Sequence, residues 1–390
     1  MKTTVATSIA SEPGIGSARI LVDDVTKQLG GAAPRIALVF ASTQQPLPAL
    51  LSELASLLPG TTLLGASSAG EFTGVEERKG SATLVAIAGD LGTHAVLAEG
   101  LAADVEGTIA RAVSHLPPRD PARPYRTAIM LLDPLAGRSE EATLTAAALL
   151  GDDVKLAGGA AGDDLKMQKT FVGCGTRAAS DAVVLAVVDS KVPLGVGAAH
   201  GHRAMSRDHV VTDAEGAVVR TVDGRPAWEV WREDCRELSG VDPSTLAEAE
   251  IGGFLLRFEA GLRTGTEYKV RAPLSRGSDG SLAFACGIPQ GTVFQIMRSE
   301  AEWQVASASL AATRARAQLG GADVAGAVVF DCICRNLILG SRFQDAVQAI
   351  RTALGGAPLA GFETYGEIAL DVGDMSGFHN TTSVVLAFPA

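Results

Sequence analysis

One order of structural parts occurs three times along the chain, and each copy contains a glycine-rich turn with an acidic residue. The turn segments are TLLGASSAGE at 62–71, KLAGGAAGDD at 155–164 and PLAGFETYGE at 358–367. A helical stretch precedes each turn, and an apolar segment lies before that stretch and another after the turn. The leading segments are RIALVFAS, RTAIMLLDP and GAVVFDC, and the following ones are SATLVAIAG, DAVVLAVVD and TTSVVLAFP. The repeated order predicts three similar units of strands and helices.

Continuous runs of Val, Ile, Leu and Ala are typical of strands that are covered on both faces. Apolar residues at helical spacing predict helices at 46–58, 138–150 and 299–319. Between 193 and 297 the pattern changes to short alternating strands with hairpin-type turns, interrupted by a helical segment at 228–238. The predicted fold class is therefore α/β, with repeated strand–helix–strand units forming layered sheets and a β-rich segment in the middle of the chain.

The first turn has the glycine spacing of a phosphate-binding loop, but its chemistry differs. Glu71 follows Gly65 and Gly70, whereas a P-loop needs Lys and then Ser or Thr at this point, so its carboxylate would repel a nucleotide phosphate. Ligands of layered α/β proteins collect at strand ends. Because all three turns keep an acid, we expect Glu71, Asp163 and Glu367 to contribute to a shared ligand site. The alternative is that the turns are tight connections whose acids face water.

A formal net charge of −11 disfavours two large classes of partner, because it would repel nucleic acid and an anionic membrane surface. No segment approaches the roughly 18 apolar residues of a membrane span, and the N-terminal segment lacks an apolar run of signal-peptide length. Five cysteines without a paired CxxC spacing suit reduced thiols. We therefore expect a cytoplasmic protein that binds a small ligand or another protein, with no nucleic-acid or membrane partner.

The strand ends of the third copy carry the polar residues best suited to hold a small ligand. Arg335 would pair bidentately with a ligand carboxylate, while Glu367 or Glu363 would accept from its ammonium group. The alternative is a salt bridge between Arg335 and Glu367 that ties two loops together. The full set of candidates near these strand ends is Cys332, Arg335, Glu363, Tyr365, Glu367, His379 and Asn380.

A further candidate is Arg257, which lies in the apolar segment FLLRF at 254–258. Inside an apolar strand a charged side chain must be paired or must face a cavity. The segment therefore predicts either a second ligand contact or a salt bridge at Arg257.

Short motifs follow one another in a fixed order along nearly the whole chain: LVFAS, LLGASSAGEFTG, LAGGAAGDD, VVTDAEGAVVRTVDGRPAWEVW, FLLRF, GSLAFACGIPQGTVFQIM, VVFDCICR, PLAGFETYGEI and FHNTT. In this order they resemble the FIST proteins. The resemblance implies a FIST N-terminal domain at 30–225 and a FIST C-terminal domain at 226–390. It also implies an intracellular sensory module of signal transduction that binds small molecules, with amino acids as suggested ligands.

Some FIST proteins are haem proteins that sense nitric oxide and regulate a partner histidine kinase, so the resemblance leaves haem b open as a cofactor. A b-type haem needs an axial ligand in an apolar pocket, and His200 or His379 would be the candidate ligand. The alternative for each histidine is a hydrogen bond to the backbone or to water.

We expect a binding protein rather than an enzyme, because the nucleophile elbow and the zincin, EF-hand and Walker motifs are all missing from the sequence. The first expectation is a cytoplasmic sensor that binds a small molecule, such as an amino acid, and regulates a separate partner protein. The alternative is a haem-based nitric-oxide sensor acting on a histidine kinase. A second alternative is an enzyme that uses Cys332 as its nucleophile.

Overall fold

Three units with the same order of elements form most of the computed structural model, which describes residues 2–12, 14–370 and 377–390. Each unit runs through strand, helix, strand, helix and strand, then makes a short two-stranded hairpin and ends in a long strand. The predicted repeat of sequence is therefore confirmed as a repeat of structure. A β-rich insert interrupts the third unit.

Unit 1 shows how apolar spacing becomes structure. Its elements are β1 (Thr4–Ala10), α1 (Ile15–Gln28), β2 (Ile36–Ala41), α2 (Leu47–Leu57), β3 (Thr62–Ser67), β4 (Glu71–Thr73), β5 (Glu77–Arg78) and β6 (Ala82–Ala88). Helix α2 buries Leu47, Leu50, Leu51 and Leu54 along one face. Gly60 turns the chain after the helix with a φ of 78°, in the left-handed region that favours glycine.

Unit 2 repeats this plan. Its elements are β7 (Gly92–Glu99), α3 (Val105–Ser114), β8 (Tyr125–Leu132), α4 (Ser139–Leu150), β9 (Lys155–Ala160), β10 (Val172–Cys174), β11 (Arg177–Ala179) and β12 (Ala182–Ser190), with a 3-10 turn over Pro134–Ala136. The carboxylate of Asp104 caps α3 by accepting from the backbone N–H of Gly107 at 2.8 Å. The predicted helix at 138–150 is confirmed as α4.

Unit 3 starts with β13 (Gly195–His200), after which the chain builds the insert. The insert consists of β14 (His202–Glu215), β15 (Val218–Val222), β16 (Arg225–Pro226), α5 (Ala227–Asp234), a π-helical turn (Cys235–Ser239), a 3-10 turn (Pro243–Thr245), α6 (Glu248–Arg257), β17 (Phe258–Thr264), β18 (Glu267–Arg271), β19 (Pro273–Arg276), β20 (Leu282–Phe284) and β21 (Val293–Ser299). Its strands form one eight-stranded sheet within the described residues. The β-rich middle of the chain is therefore confirmed.

The insert has an aromatic core of its own. Trp231 is fully buried, stacks on Phe294 with 5.3 Å between ring centroids, and donates from its indole N–H to the carbonyl of Phe258 at 2.8 Å. The ring thus buries its apolar body while its one donor is satisfied, as a core tryptophan requires.

The prediction that Arg257 lies inside an apolar strand is wrong. Arg257 is the last residue of helix α6, its side chain is exposed, and strand β17 begins only at the next residue. The buried residues of FLLRF include Phe254 and Leu255, which lie on the inward face of this helix. Solvent hydrates the guanidinium there, so the expected burial cost does not arise.

Unit 3 resumes after the insert. Its remaining elements are α7 (Ala301–Ala317), β22 (Val324–Cys332), α8 (Ile333–Leu339), a 3-10 turn (Gly340–Arg342), α9 (Phe343–Ala353), β23 (Leu359–Thr364), β24 (Glu367–Leu370), β25 (Gly377–His379) and β26 (Thr382–Pro389). The predicted helix at 299–319 is confirmed as α7, although Ser299 ends strand β21 instead of starting the helix.

The hairpin of each unit pairs with strands in the sheet of another unit. Sheet 1 has the strand order β1-β6-β2-β3-β10-β11, sheet 2 the order β7-β12-β8-β9-β24-β25, and sheet 3 the order β13-β26-β22-β23-β4-β5. The pairs β2/β3, β8/β9 and β22/β23 are parallel, and the borrowed hairpins attach antiparallel. Because every sheet contains strands of two units, the three units form one interlocked body.

The three six-stranded sheets share one apolar core. Phe40 of sheet 1 stacks on Phe362 of sheet 3 with 4.2 Å between centroids, and the same core includes Leu131 of sheet 2. The residues that alternate with these, such as Val39, pack against the helices on the other face. Both faces of the sheets are therefore buried, which explains the continuous apolar runs and confirms the α/β prediction.

Helices cover the outer faces of the sheets, with α1 and α2 on sheet 1, α3 and α4 on sheet 2, and α7 and α9 on sheet 3. None of the helices within residues 2–12, 14–370 and 377–390 combines the length and the apolar character needed to cross a bilayer.

Candidate functional site

The three glycine-rich turns contact one another in a closed triangle of backbone hydrogen bonds. The turn of unit 1 is bonded to unit 3, the turn of unit 2 to unit 1, and the turn of unit 3 to unit 2. The bonds are Glu363 N to Gly70 O at 2.8 Å, Gly162 N to Ser67 O at 2.9 Å and Tyr365 N to Ala160 O at 3.1 Å. The repeated sequence therefore brings the three turns to one place in the fold.

Glycine is needed in these turns because they approach one another closely. A Cβ added at Gly70 would lie 2.5 Å from Oε2 of Glu363, and one at Gly162 would lie 2.7 Å from the backbone N of Ala69. Separations this short require a neighbour to move. Contacts between turns thus explain the glycines at 70 and 162.

The acid of the first turn faces the protein interior. Glu71 is fully buried, and its carboxylate accepts from the backbone N–H of Ser81 at 3.1 Å, from the Ser81 hydroxyl at 2.6 Å and from the Ser68 hydroxyl. Burial raises the pKa of Glu71 to about 7, although these hydrogen bonds oppose the rise. The alternative prediction, that the acids of the turns face water, is wrong, since Asp163 and Glu367 are buried as well.

The acid of the second turn orders the loop that follows it. Asp163 accepts from the backbone N–H groups of Met167, Gln168 and Lys169 at 2.8, 2.6 and 2.9 Å, and from the hydroxyl of Tyr365 at 2.6 Å. Burial acts to raise the pKa of Asp163, but the four hydrogen bonds outweigh it and lower the pKa below its ordinary value. Asp163 therefore favours its charged form, and hydrogen bonds from the following loop and from Tyr365 stabilise that charge.

The acid of the third turn lies against a buried thiol. Glu367 accepts from the hydroxyl of Thr364 and from the backbone N–H of Thr382 at 3.0 Å. Burial, and next the neighbouring Cys332, raise the pKa of Glu367 well above its usual range. Burial and the adjacent Cys334 likewise raise the pKa of the Cys332 thiol. Burial thus favours the uncharged form of both groups.

A second buried carboxyl group, which the sequence patterns did not single out, lies next to Glu367. Glu259 accepts from the hydroxyl of Thr381 at 2.6 Å, and its other oxygen has no hydrogen-bond partner among the described residues. That oxygen lies 4.0 Å from Nε2 of His202. Burial and the proximity of Glu367 raise the pKa of Glu259 well above its ordinary value. Burial thus favours the uncharged form of both carboxyl groups.

Arg335 belongs to an internal network. Its guanidinium donates to Asp331 at 2.8 Å, to the Ser307 hydroxyl at 2.9 Å, and to the side chain and carbonyl of Gln304. Arg335 pairs with Asp331 because the two lie four residues apart where strand β22 passes into helix α8. The expected alternative of an Arg335–Glu367 salt bridge is therefore wrong.

The remaining candidates of the third copy point into separate surroundings. Glu363 accepts from Asn336 and is buried, and burial followed by the nearby Glu77 raises its pKa well above the usual range. Asn380 is buried and donates to the carbonyl of His379 at 3.2 Å. The strand ends thus bring these residues near one another while their side chains enter different networks.

An open cleft of about 800 Å³ lies between the insert and unit 3. We call it the histidine cleft and define it by His200, Glu267, Tyr268, Arg314, His379 and Thr382. Strand pairing sets its floor, since His200 pairs with Thr382 in sheet 3 and His379 pairs with Glu367 in sheet 2. Two of the predicted candidates, His200 and His379, therefore line one cleft, and Glu367 is the strand partner of His379.

The histidine cleft is close to electrically neutral. Burial lowers the pKa of His200, and burial together with Lys269 and Arg271 lowers the pKa of His379 to about 3. On the rim, Arg314 pairs with Glu267 and also donates to the Ala198 carbonyl at 2.8 Å. The cleft therefore offers one cation, one anion and two uncharged imidazoles to a ligand.

The histidines of the cleft already have hydrogen-bond partners. Nε2 of His200 lies 2.9 Å from the carbonyl of Tyr268, while its Nδ1 accepts from the backbone N–H of His202 at 3.2 Å. Nε2 of His379 lies 3.3 Å from the carbonyl of Ala369. An axial haem ligand needs a ring nitrogen with a free lone pair. His200 in this arrangement does not fit that role.

Sequence patterns missed Arg314 and Glu267 as cleft residues. Arg314 lies near the end of helix α7, and Glu267 begins strand β18 of the insert. They meet because the β17–β18 hairpin folds back onto unit 3, a contact between distant parts of the chain. No local motif marks either residue.

Among the described residues, no group of three or more His, Cys, Asp and Glu side chains is arranged to hold a metal ion. Two family models match the chain: one described as the FIST N domain matches residues 35–225, and one described as the FIST C domain matches residues 227–370. No curated protein matches the chain significantly. The two models together cover well over half of its length.

Proposed function

The chain belongs to the FIST family, whose domains are associated with small-ligand binding in sensory signal transduction, and we propose that its ligand occupies the histidine cleft. The observation that carries this proposal is the cleft itself, which has room for a metabolite and is lined by strand ends of a rigid scaffold. We further propose that the protein acts in the cytoplasm and that the bound ligand regulates a separate partner protein, such as a histidine kinase.

An amino acid matches the charges of this cleft. A zwitterion carries one carboxylate and one ammonium group, which would pair with Arg314 and Glu267 respectively. The Arg314–Glu267 pair is partly exposed, with 37% and 59% of the two side chains accessible, so a ligand exchanges it for its own contacts at small cost. We therefore propose Arg314, in place of Arg335, as the residue that binds the ligand carboxylate. Arg314 lies on the rim of the cleft, where a ligand can reach it from solvent.

Calorimetric titration of haem-free protein with the common amino acids tests this proposal. We expect at least one amino acid to bind. Arg314→Gln should lower the affinity for that amino acid about tenfold, because the variant loses a charge-assisted hydrogen bond. Arg316→Gln is the matched control, because Arg316 lies two residues further along α7 and is exposed outside the cleft. Absence of binding by every amino acid, or equal loss in both variants, would contradict the proposal.

A haem-based nitric-oxide sensor acting on a histidine kinase is the second candidate, supported by the position of His200 and His379 in one cleft. The hydrogen bonds of His200 oppose it, because ligation would have to break them. An absorption spectrum recorded after haem addition distinguishes the candidates. A Soret band that is lost in His200→Ala or His379→Ala would favour haem, and its absence would favour the metabolite site.

A further inference from the structure

A second cleft, of about 940 Å³, lies between the N-terminal turn of helix α4 and the β17–β18 hairpin. Lys269 and Arg271 line this cleft, whereas Tyr268 lines the histidine cleft. The two clefts adjoin along the β17–β18 hairpin, and Thr264 lines both of them. We call the second one the cationic cleft.

The charge of the cationic cleft differs from that of the protein. Its lining includes four cationic side chains and only two carboxylates, a surplus of two positive charges, whereas the whole chain has a net charge of −11. A concave surface of one sign concentrates ligands of the opposite sign. The charged lining residues are Arg138, Glu140, Glu141, Arg263, Lys269 and Arg271.

Two of these cations are buried and share a single carboxylate. Lys269 is 9% exposed and Arg271 is 1% exposed. Glu140 accepts from Nζ of Lys269 at 2.6 Å through one oxygen and from Nη2 of Arg271 through the other. One anion for two buried cations leaves a positive charge uncompensated, and buried charges are stable only when paired.

The guanidinium of Arg271 also has an unused donor. Its Nη1 donates to the carbonyls of Val270 and Phe378 at 3.1 and 3.3 Å. Its Nε, although buried, has no acceptor among the described residues. A carboxylate binds arginine best through two parallel hydrogen bonds, for which the Nε and Nη2 edge is suited. Glu140 uses only the Nη2 end of that edge.

We propose that the cationic cleft is a binding site for a small carboxylate, which docks on the Nε edge of Arg271 and on Lys269, with Glu140 as the resident competitor. The carboxylate of Glu140, bridging both cations, shows that this chemical group suits the spacing of the donors. The charged lining residues of this cleft are distinct from those of the histidine cleft. The two clefts are adjacent, because Phe378, which accepts from Arg271, precedes His379.

Titration of the full-length protein with disodium succinate, at ionic strength held constant with sodium chloride, tests the site. Glu140→Gln removes the competing charge and should bind succinate about tenfold more tightly than the native protein. Adding Lys269→Met to Glu140→Gln should weaken binding again by about tenfold. Adding Lys191→Met instead is the matched control, since Lys191 lies at the surface beside Asp90, outside the cleft, and should change little.

Glu140→Asp provides a second variant in case Glu140→Gln leaves the buried cations too weakly compensated to fold. The shorter side chain keeps the charge and withdraws its carboxylate from the cations, so succinate should again bind more tightly than to native protein. The proposal is overturned if the folded variants bind succinate no more tightly than native protein does. It is also overturned if sodium sulfate binds as tightly as succinate, since the site would then select charge and not a carboxylate.

Discussion

The hydroxyl of Tyr365 donates a hydrogen bond of 2.6 Å to the carboxylate of Asp163, and so joins the turns of units 2 and 3. The same hydroxyl accepts from the backbone N–H of Leu165 at 2.7 Å. Leu165 has a φ of 62°, a backbone conformation that is unusual for a residue other than glycine. The bonds to Tyr365 and Asp163 hold this loop in its conformation.

Removal of that hydroxyl should therefore destabilise the protein. Tyr365→Phe leaves Asp163 and Leu165 each without one partner, at an expected cost of about 1–3 kcal/mol in the free energy of unfolding. Urea unfolding measures the change, and Tyr125→Phe, at a side chain that is 47% exposed, is the control. Equal stabilities of the two variants would show that the hydroxyl of Tyr365 contributes nothing.

Glu71 should make the stability depend on pH. Its pKa in the folded protein is about 7 because of burial, against an ordinary value of 4.5. A raised folded-state pKa gives stability that is fully present below the unfolded value and is lost as the pH rises through the folded value. Between pH 4.5 and pH 7 this loss amounts to about 3 kcal/mol.

Glu71→Gln keeps the uncharged form and should abolish this part of the pH dependence. We expect the variant to gain about 3 kcal/mol relative to native protein between pH 4.5 and pH 8 in urea unfolding experiments. Glu106→Gln, at an exposed position in α3, is the control. A difference between Glu71→Gln and native protein that stays constant with pH would contradict the raised pKa.

Arg335 should act in stability and not in ligand binding. Arg335→Met leaves Asp331 buried without its cation, and the expected cost is about 3–5 kcal/mol in the free energy of unfolding. Arg342→Met breaks only exposed pairs with Glu302 and Asp345 and should cost less than about 1 kcal/mol.

A second measurement separates the two roles of Arg335. Because its donors are satisfied by the protein, folded Arg335→Met should bind the ligand of the histidine cleft with unchanged affinity. A selective loss of affinity without loss of stability would restore Arg335 as a ligand contact.

Cys332 should be unreactive in the folded protein. Its side chain is 2% exposed, so a reagent has little access to the sulfur. Burial also raises the pKa of the thiol, so only a small fraction is the reactive thiolate. We expect maleimide labelling at neutral pH to be on the order of 100-fold slower in native than in urea-unfolded protein. Mass spectrometry of the peptide measures the rate, with the half-buried Cys174 as internal reference. Fast labelling of Cys332 in native protein would revive the enzyme alternative.

Local sequence was sufficient to identify the repeated elements. The strands around Val39, Leu131 and Val329 are buried on both faces, so their apolar runs are continuous and easily recognised. Helix α2 was equally clear, because its leucines recur at helical spacing on one face. Arg257 was misassigned because a short apolar segment fits a buried helix face as well as a strand.

Tertiary structure decided which strands pair and hence where the acids lie. The sequence of the first turn predicts an acid at a strand end, but β4 then joins sheet 3, and Glu71 is buried there beside Ser81. Both clefts depend on the β17–β18 hairpin, which brings Glu267 to Arg314 and Arg271 to Glu140 across 47 and 131 positions of the chain. Periodicity and turn chemistry are properties of neighbouring residues, whereas strand pairing and burial depend on packing between distant segments. The sequence by itself therefore determined the helices, strands and turns, and only the folded chain determined the site.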